Sequence, residues 1–158
     1  MDDDFVKFND EKDLKIGDGR IKYIPNYKGI KHLVIFTGRI SNHKLKKEYA
    51  KARVYVLPSL VNENSPLTIQ EAISQGTPVI TTDIGGQKEL VRDGYNGFLV
   101  EPGNSEDLAE KIKIILQDEE LRRKMSKNCL KEARKFSPEE HIKKIEYLFQ
   151  LMIRGGKH

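Results

Sequence analysis

Two carboxylates, Glu63 and Glu71, stand eight positions apart on either side of a predicted helix start. Ser65 is a good N-cap residue, and Pro66 suits the first helical position, where its missing N–H costs nothing. Backbone N–H groups at such a start are unpaired and form the positive end of the helix dipole, which favours a bound anion such as phosphate. The pattern therefore predicts a site for a ligand that carries a phosphate and several hydroxyls.

Strands are predicted on both sides of this segment. Residues 54–57 and 79–82 are short runs of apolar and β-branched side chains, as expected of buried parallel strands. The helix start therefore opens at the carboxyl end of a strand, where open α/β sheets bind ligands. We expect the N–H groups of Leu67 and Thr68 to face the anion, with Glu71 one turn further along the same helix face.

The rest of the chain alternates predicted strands and helices, which indicates an α/β fold with a Rossmann-like parallel sheet and helices on both faces. The last helix begins at a capping box formed by Ser137 and the acidic residues after it. Its apolar residues, predicted to face inward, are Ile142, Ile145, Phe149 and Met152. Further predicted elements are a strand over 33–36, a helix capped by Ser41 or Asn42, a short helix over 87–92, a strand over 98–100, and helices from Ser105 and from Glu119.

Composition excludes several classes of protein. The 158 residues suffice for one domain, and the net charge of +4 comes from interspersed charges of both signs, which gives nucleic-acid binding little support. Cys129 is the only cysteine, so no internal disulfide can form; its place in a predicted helix indicates a packed or surface thiol. The histidines lack metal-ligand spacing and no apolar stretch reaches membrane-spanning length, so we expect a cytoplasmic protein without a metal or an integral membrane segment.

The same segment resembles the retaining GT-B glycosyltransferases of group 1 (GT4-like). Glu63 and Glu71 match the E-x7-E motif of that family, and the similarity runs from about residue 34 to residue 149. The resemblance implies the C-terminal, donor-binding half of a GT-B fold. Segments that match in the family's order are 52–59 before the motif and 75–80, 82–86, 89–91 and 93–100 after it.

The resemblance also implies roles for individual residues. Glu63 would be the catalytic residue, which contacts donor-sugar hydroxyls near the reacting carbon and has an orienting and electrostatic role. Glu71 would take both ribose hydroxyls of the nucleotide, and the substrate would be a UDP- or GDP-sugar with no other cofactor. The remaining donor contacts would come from Asn64, Ser65, Pro66, Leu67 and Thr68 at the helix start and from the backbone of Gly85 and Gly86.

Arg39 has two possible roles. Arg39 and Lys44 have the R-x4-K spacing of the basic pair that clamps the diphosphate in the family. The distance to Pro58 instead favours a later loop, in which backbone groups near Arg39 and Ile40 contact the nucleotide base. In that second case the diphosphate-clamping pair is missing from the chain.

Residues 1–30 match the family poorly, so we expect an N-terminally abbreviated domain over 31–158 that ends in a long helix. In the family a separate N-terminal domain binds the acceptor, so the isolated chain is expected to be inactive without such a partner. An uncovered sheet edge would favour a homodimer. The alternatives are a non-catalytic Rossmann-like binding or interaction module that has lost the donor site, and a generic doubly wound domain of flavodoxin or response-regulator type.

Overall fold

The computed structural model describes residues 37–155, so the strand predicted over 33–36 and the segment 1–30 lie outside the described residues. The chain forms two units, Met1–Leu45 and Lys46–His158, and the second contains the whole described sheet. The helices are α1 (Asn42–Lys51), α2 (Leu67–Ser74), α3 (Gln87–Leu90), α4 (Ser105–Gln117), α5 (Glu119–Ala133) and α6 (Pro138–Gly155), with a 3-10 turn at Arg134–Phe136. The strands are β1 (Tyr55–Leu57), β2 (Val79–Thr82) and β3 (Gly97–Val100).

The three strands form a parallel sheet in the order β1-β2-β3. In the register of this sheet, Val79 of β2 pairs with Tyr55 of β1 on one side and with Gly97 of β3 on the other. A Cβ atom on Gly97 would overlap the carbonyl of Val79, so only glycine permits the strands to approach this closely there. The parallel sheet with its intervening helices confirms the predicted α/β, Rossmann-like class.

One cluster of buried side chains joins the sheet to the helices that follow it. Ile115 of α4 and Met125 of α5 are fully buried against side chains of β2 and β3. Leu108 and Ile112 of α4 pack against the same cluster, so this face of the helix is apolar. The sheet residues in the cluster are Ile80, Phe98 and Val100.

The start of α2 differs from the prediction. Pro66, with φ −60° and ψ 115°, has an extended conformation and occupies the N-cap position, and no side chain caps the helix. The Ser65 hydroxyl instead accepts a hydrogen bond of 2.8 Å from the Gln70 side-chain amide. Ser65 as N-cap was therefore wrong by one residue, because Pro66 is itself extended and the first helical residue is Leu67. At the other end of the helix, Gly76 follows the C-cap residue Gln75 with φ +76°.

The apolar face of α6 also differs. The cap is confirmed, because the Glu140 amide donates to the Ser137 hydroxyl at 3.2 Å. However, the four residues predicted to face inward are 39% to 72% exposed, namely Ile142, Ile145, Phe149 and Met152. The inward assignment was wrong because no element within residues 37–155 packs along this face. None of the helices in that range is long and apolar enough to cross a membrane.

Candidate functional site

The loop over 58–66 and the turn over 83–86 lie side by side, each following the carboxyl end of a strand. The Gly86 amide donates a hydrogen bond of 2.8 Å to the Glu63 carbonyl. Gly85 has φ +52°, and a Cβ atom there would lie 2.9 Å from the same carbonyl oxygen. A Cβ atom on Gly86 would overlap the carbonyl of Asn64. The structure therefore brings together the loop and the glycine pair that the family resemblance places in one site.

The first turn of α2 presents unpaired amides. Ile69 and Gln70 both donate to the Pro66 carbonyl, at 3.1 Å and 3.4 Å. Within the described chain, the amides of Leu67 and Thr68 have no acceptor. The Leu67 side chain is 71% exposed, so this end of the helix is open to solvent. An anion could reach both amides and the positive end of the helix dipole.

The two carboxylates of the motif have different surroundings. Glu63 is exposed, whereas Glu71 is half-buried in α2. Glu71 faces Tyr49, a buried residue of α1 whose ring meets that of Tyr55 edge to face at a centroid distance of 5.3 Å. Burial, with smaller contributions from Tyr55 and Glu71, raises the pKa of Tyr49 to about 12. Tyr49 thus keeps its proton at neutral pH and can donate to the Glu71 carboxylate.

Arg39 and Ile40 lie just before α1 in the first unit, where Arg39 is exposed and Ile40 is half-buried. The Lys44 amide lies 3.5 Å from the Ser41 hydroxyl, so Ser41 caps α1. Both possible roles of Arg39 stay predictions.

Cys129 is not part of a reactive site. Its thiol is fully buried and donates to the carbonyls of Thr77 and Asn96 at 3.4 Å and 3.2 Å. Burial raises the pKa of Cys129 to about 12, so the nucleophilic thiolate is not formed near neutral pH. Over residues 37–155, no group of three or more His, Cys, Asp or Glu side chains could hold a metal ion.

The sequence did not single out the side chain of Gln87, which is fully buried at the start of α3 and contacts the hydroxyls of Thr81 and Thr82. The available signal was weak: two consecutive threonines at the end of a strand, with an amide side chain five residues further on. The contact of Tyr49 with Glu71 was not predicted either.

The family model for glycosyl transferases group 1 matches residues 18–132. The chain belongs to this family. Uncharacterized glycosyltransferase MJ1178 from Methanocaldococcus jannaschii is 33% identical over 151 residues, which cover 93% of this chain and 42% of that protein. Family membership excludes the flavodoxin-like and response-regulator-like alternatives.

Solved structures give the same assignment. The sucrose-phosphate synthase from Thermosynechococcus elongatus matches with a TM-score of 0.66 and 31% identity, over 75% of this chain and 30% of that one. Anabaena Alr3699/HepE, solved in complex with UDP, matches with a TM-score of 0.62 and 28% identity, over 66% of this chain and 29% of that one. The chain therefore spans less than half the length of these relatives, and the fold is that of the C-terminal Rossmann-like half of a GT-B glycosyltransferase.

Proposed function

We propose that the chain is the donor-binding domain of a retaining, metal-independent glycosyltransferase, with a nucleotide-sugar as substrate and no further cofactor. The observation that carries the proposal is the contact between the Glu63 loop and the Gly85–Gly86 turn beside the open amides of α2. A nucleoside diphosphate donor is supported by the Anabaena neighbour, which was solved with UDP. UDP or GDP is the expected nucleotide.

Each part of the donor has a matching group. The amides of Leu67 and Thr68 would hold the diphosphate, because they are unpaired in the described chain and belong to a positive helix end. Glu71, with two carboxylate oxygens, would accept hydrogen bonds from both ribose hydroxyls. Glu63 would orient the sugar, since its backbone is fixed by Gly86 while its side chain is exposed.

The proposed chemistry follows from where charge develops. Breaking the bond between the sugar carbon and the diphosphate oxygen leaves negative charge on the diphosphate and positive character on the sugar. Fixed N–H dipoles stabilise that negative charge as an oxyanion hole does, and the loss of one such donor typically costs about 3 kcal/mol at the transition state. Retention would follow from attack of the acceptor on the face that the diphosphate leaves, with that diphosphate helping to remove the acceptor proton.

Calorimetric titration with UDP, GDP and ADP tests donor binding. We expect saturable one-site binding of UDP or GDP that EDTA does not weaken. Glu71→Ala removes two charge-assisted hydrogen bonds and should raise the Kd at least tenfold, since each is worth about 1.5–3 kcal/mol. Glu120→Ala, on an exposed glutamate in the first turn of α5, is the matched control and should leave the Kd unchanged. Binding that requires Mg²⁺, or that survives Glu71→Ala, would refute the proposed site.

A transfer assay tests the role of a second domain. We expect the 158 residues by themselves to transfer no sugar, because the acceptor would be bound by another domain. Transfer from a UDP- or GDP-sugar by this chain alone would contradict that expectation. If the chain binds no nucleotide at all, the alternative of a non-catalytic interaction module is supported. A cytoplasmic location and a homodimer through the sheet edge stay predictions.

A further inference from the structure

The side chain of Gln87 is buried directly behind the glycine turn of the candidate site. Its Oε1 atom lies 2.8 Å from the hydroxyl of Thr82 and 3.3 Å from the hydroxyl of Thr81. Its Nε2 atom is also buried and has no hydrogen-bond partner among the described residues. One terminal atom of the Gln87 amide therefore contacts both threonine hydroxyls, while the other terminal atom is buried without a partner among the described residues.

The two threonine hydroxyls connect Gln87 to the neighbouring strand and its loop. The Thr81 hydroxyl donates to the Leu57 carbonyl at 2.9 Å, at the end of β1. The Thr82 hydroxyl donates to the Ser59 carbonyl at 2.7 Å, in the loop that leads to Glu63. A hydroxyl has one proton, so each threonine shares it between a carbonyl and the Gln87 amide. One buried side chain thus connects the ends of both strands.

Stability alone does not explain an amide at this position. A buried polar atom without a hydrogen-bond partner is unfavourable, and an apolar side chain of similar size would avoid that cost. Buried polar networks can instead fix one geometry among several that apolar packing would permit. The hydrogen bonds of Gln87 can therefore be explained by their effect on geometry, because they fix where the 58–66 loop lies relative to the turn over 83–86.

The backbone beside Gln87 completes the connection to the site. Gly86, the preceding residue, donates to the Glu63 carbonyl and packs against the Asn64 carbonyl. A shift of the first turn of α3 would therefore move the backbone of Glu63 directly. We infer that Gln87 is a positioning residue for the loop that carries Glu63; its importance for donor binding rests on the function proposed above.

Amide hydrogen exchange measured by NMR tests this role without any nucleotide. Gln87→Met keeps the size of the side chain and removes the amide, so exchange of the Gly86 N–H should rise about fivefold or more, as expected for one lost buried hydrogen bond. The matched control is Asn128→Leu, which removes another buried amide that donates to the Tyr95 carbonyl at 2.9 Å. The control should change Gly86 exchange only by its effect on global stability.

Two substitutions of Thr82 provide a second test if the Gln87→Met chain does not fold. Thr82→Val removes the hydroxyl at nearly constant shape and should raise Gly86 exchange, whereas Thr82→Ser retains the hydroxyl and should restore exchange to the parent rate. Equal exchange rates for Val and Ser at this position would overturn the inference. Gly86 exchange that is unchanged in a folded Gln87→Met chain would also overturn it.

UDP affinity then separates the two proposals. If the parent chain binds UDP, Gln87→Met should raise the Kd about fivefold, while Asn128→Leu with a similar loss of Tm should not. An equal Kd change in both variants would mean that Gln87 acts through stability alone and would refute positioning. If the parent chain binds neither UDP nor GDP, the proposed function fails, and the exchange rates alone decide the role of Gln87.

Discussion

The contact between Gly86 and Asn64 predicts that Gly86→Ala will disrupt the site, although alanine can adopt the φ and ψ angles of residue 86 without strain. Gly86 has φ −76° and ψ −3°, an ordinary helical conformation that alanine adopts freely. The added methyl would nevertheless overlap the Asn64 carbonyl, which is backbone and cannot rotate away. Gly94→Ala is the converse control, because Gly94 has φ +69° and a Cβ atom there would meet nothing within 4 Å.

The two substitutions should differ in magnitude. Overpacking costs typically about 1–3 kcal/mol, and loss of the Gly86 to Glu63 hydrogen bond adds about 1 kcal/mol, so we expect Gly86→Ala to cost about 2–4 kcal/mol. Gly94→Ala introduces only a left-handed alanine, which costs about 1–2 kcal/mol and is partly offset by a less flexible unfolded chain. At about 4 °C per kcal/mol, the Tm should fall by about 8–16 °C for Gly86→Ala and by about 4 °C for Gly94→Ala.

Thermal unfolding followed by circular dichroism measures both Tm values, and titration with UDP well below both transitions measures the site. The Kd for UDP should rise at least tenfold in Gly86→Ala and stay at the parent value in Gly94→Ala. A Gly86→Ala chain that melts at the parent Tm and binds UDP with the parent Kd would show that the loop and the turn are not in contact.

Three further predictions follow from pKa values. Burial raises the pKa of Cys129 to about 12, so iodoacetamide should label this thiol near neutral pH only after the chain unfolds. Mass spectrometry measures the labelling, and rapid labelling of the native chain would contradict the burial of Cys129. Hydrogen bonds from Arg122 and Arg123 lower the pKa of Glu119 from 4.5 to about 2. The stabilisation that Glu119 provides is therefore complete above its pKa in the unfolded chain and is lost as the pH falls through its pKa in the folded chain. Glu119→Gln should therefore lower Tm at neutral pH and show a shallower further loss on acidification; parallel Tm curves for the two chains would refute this. The pKa of Tyr49 is raised from 10.0 to about 12. The contribution of Tyr49 to the free energy of unfolding is therefore complete below its pKa in the unfolded chain and is lost as the pH rises through its pKa in the folded chain. Between those two pH values Tyr49→Phe should lose less stability than the parent chain, and an equal loss would be evidence against the buried hydroxyl.

Local signals in the sequence were sufficient for most of the fold. The buried strand over 79–82 depends on a few adjacent residues and is found where predicted. The Ser65 cap was wrong because the Ser65 hydroxyl accepts a hydrogen bond from the Gln70 side chain and Pro66 is extended. Residue preferences do not determine which of several nearby hydrogen-bond partners a serine hydroxyl takes. The apolar stripe of α6 was correctly located but wrongly assigned inward, since periodicity identifies a face and not what covers it.

The site could be predicted less completely. The motif and its glycine pair were identified through the resemblance of these segments to the family. Their close approach, with Gly86 against Asn64, depends on the spacing of two strands and has no local signal. The hydrogen bonds from Gln87 to the threonines and the contact of Tyr49 with Glu71 also join separate elements, so neither could be inferred from sequence spacing.

The most direct test of the proposed donor site is an NMR titration of the ¹⁵N-labelled chain with UDP and, separately, with GDP. The amide signals of Leu67, Thr68, Gly85 and Gly86 should shift together and saturate with a single Kd, because these groups would surround the diphosphate and the sugar-binding turn. If those four signals stay unmoved at high concentrations of both nucleotides, or if the shifts occur only in other elements, the diphosphate does not bind at the start of α2 and the proposed site is wrong.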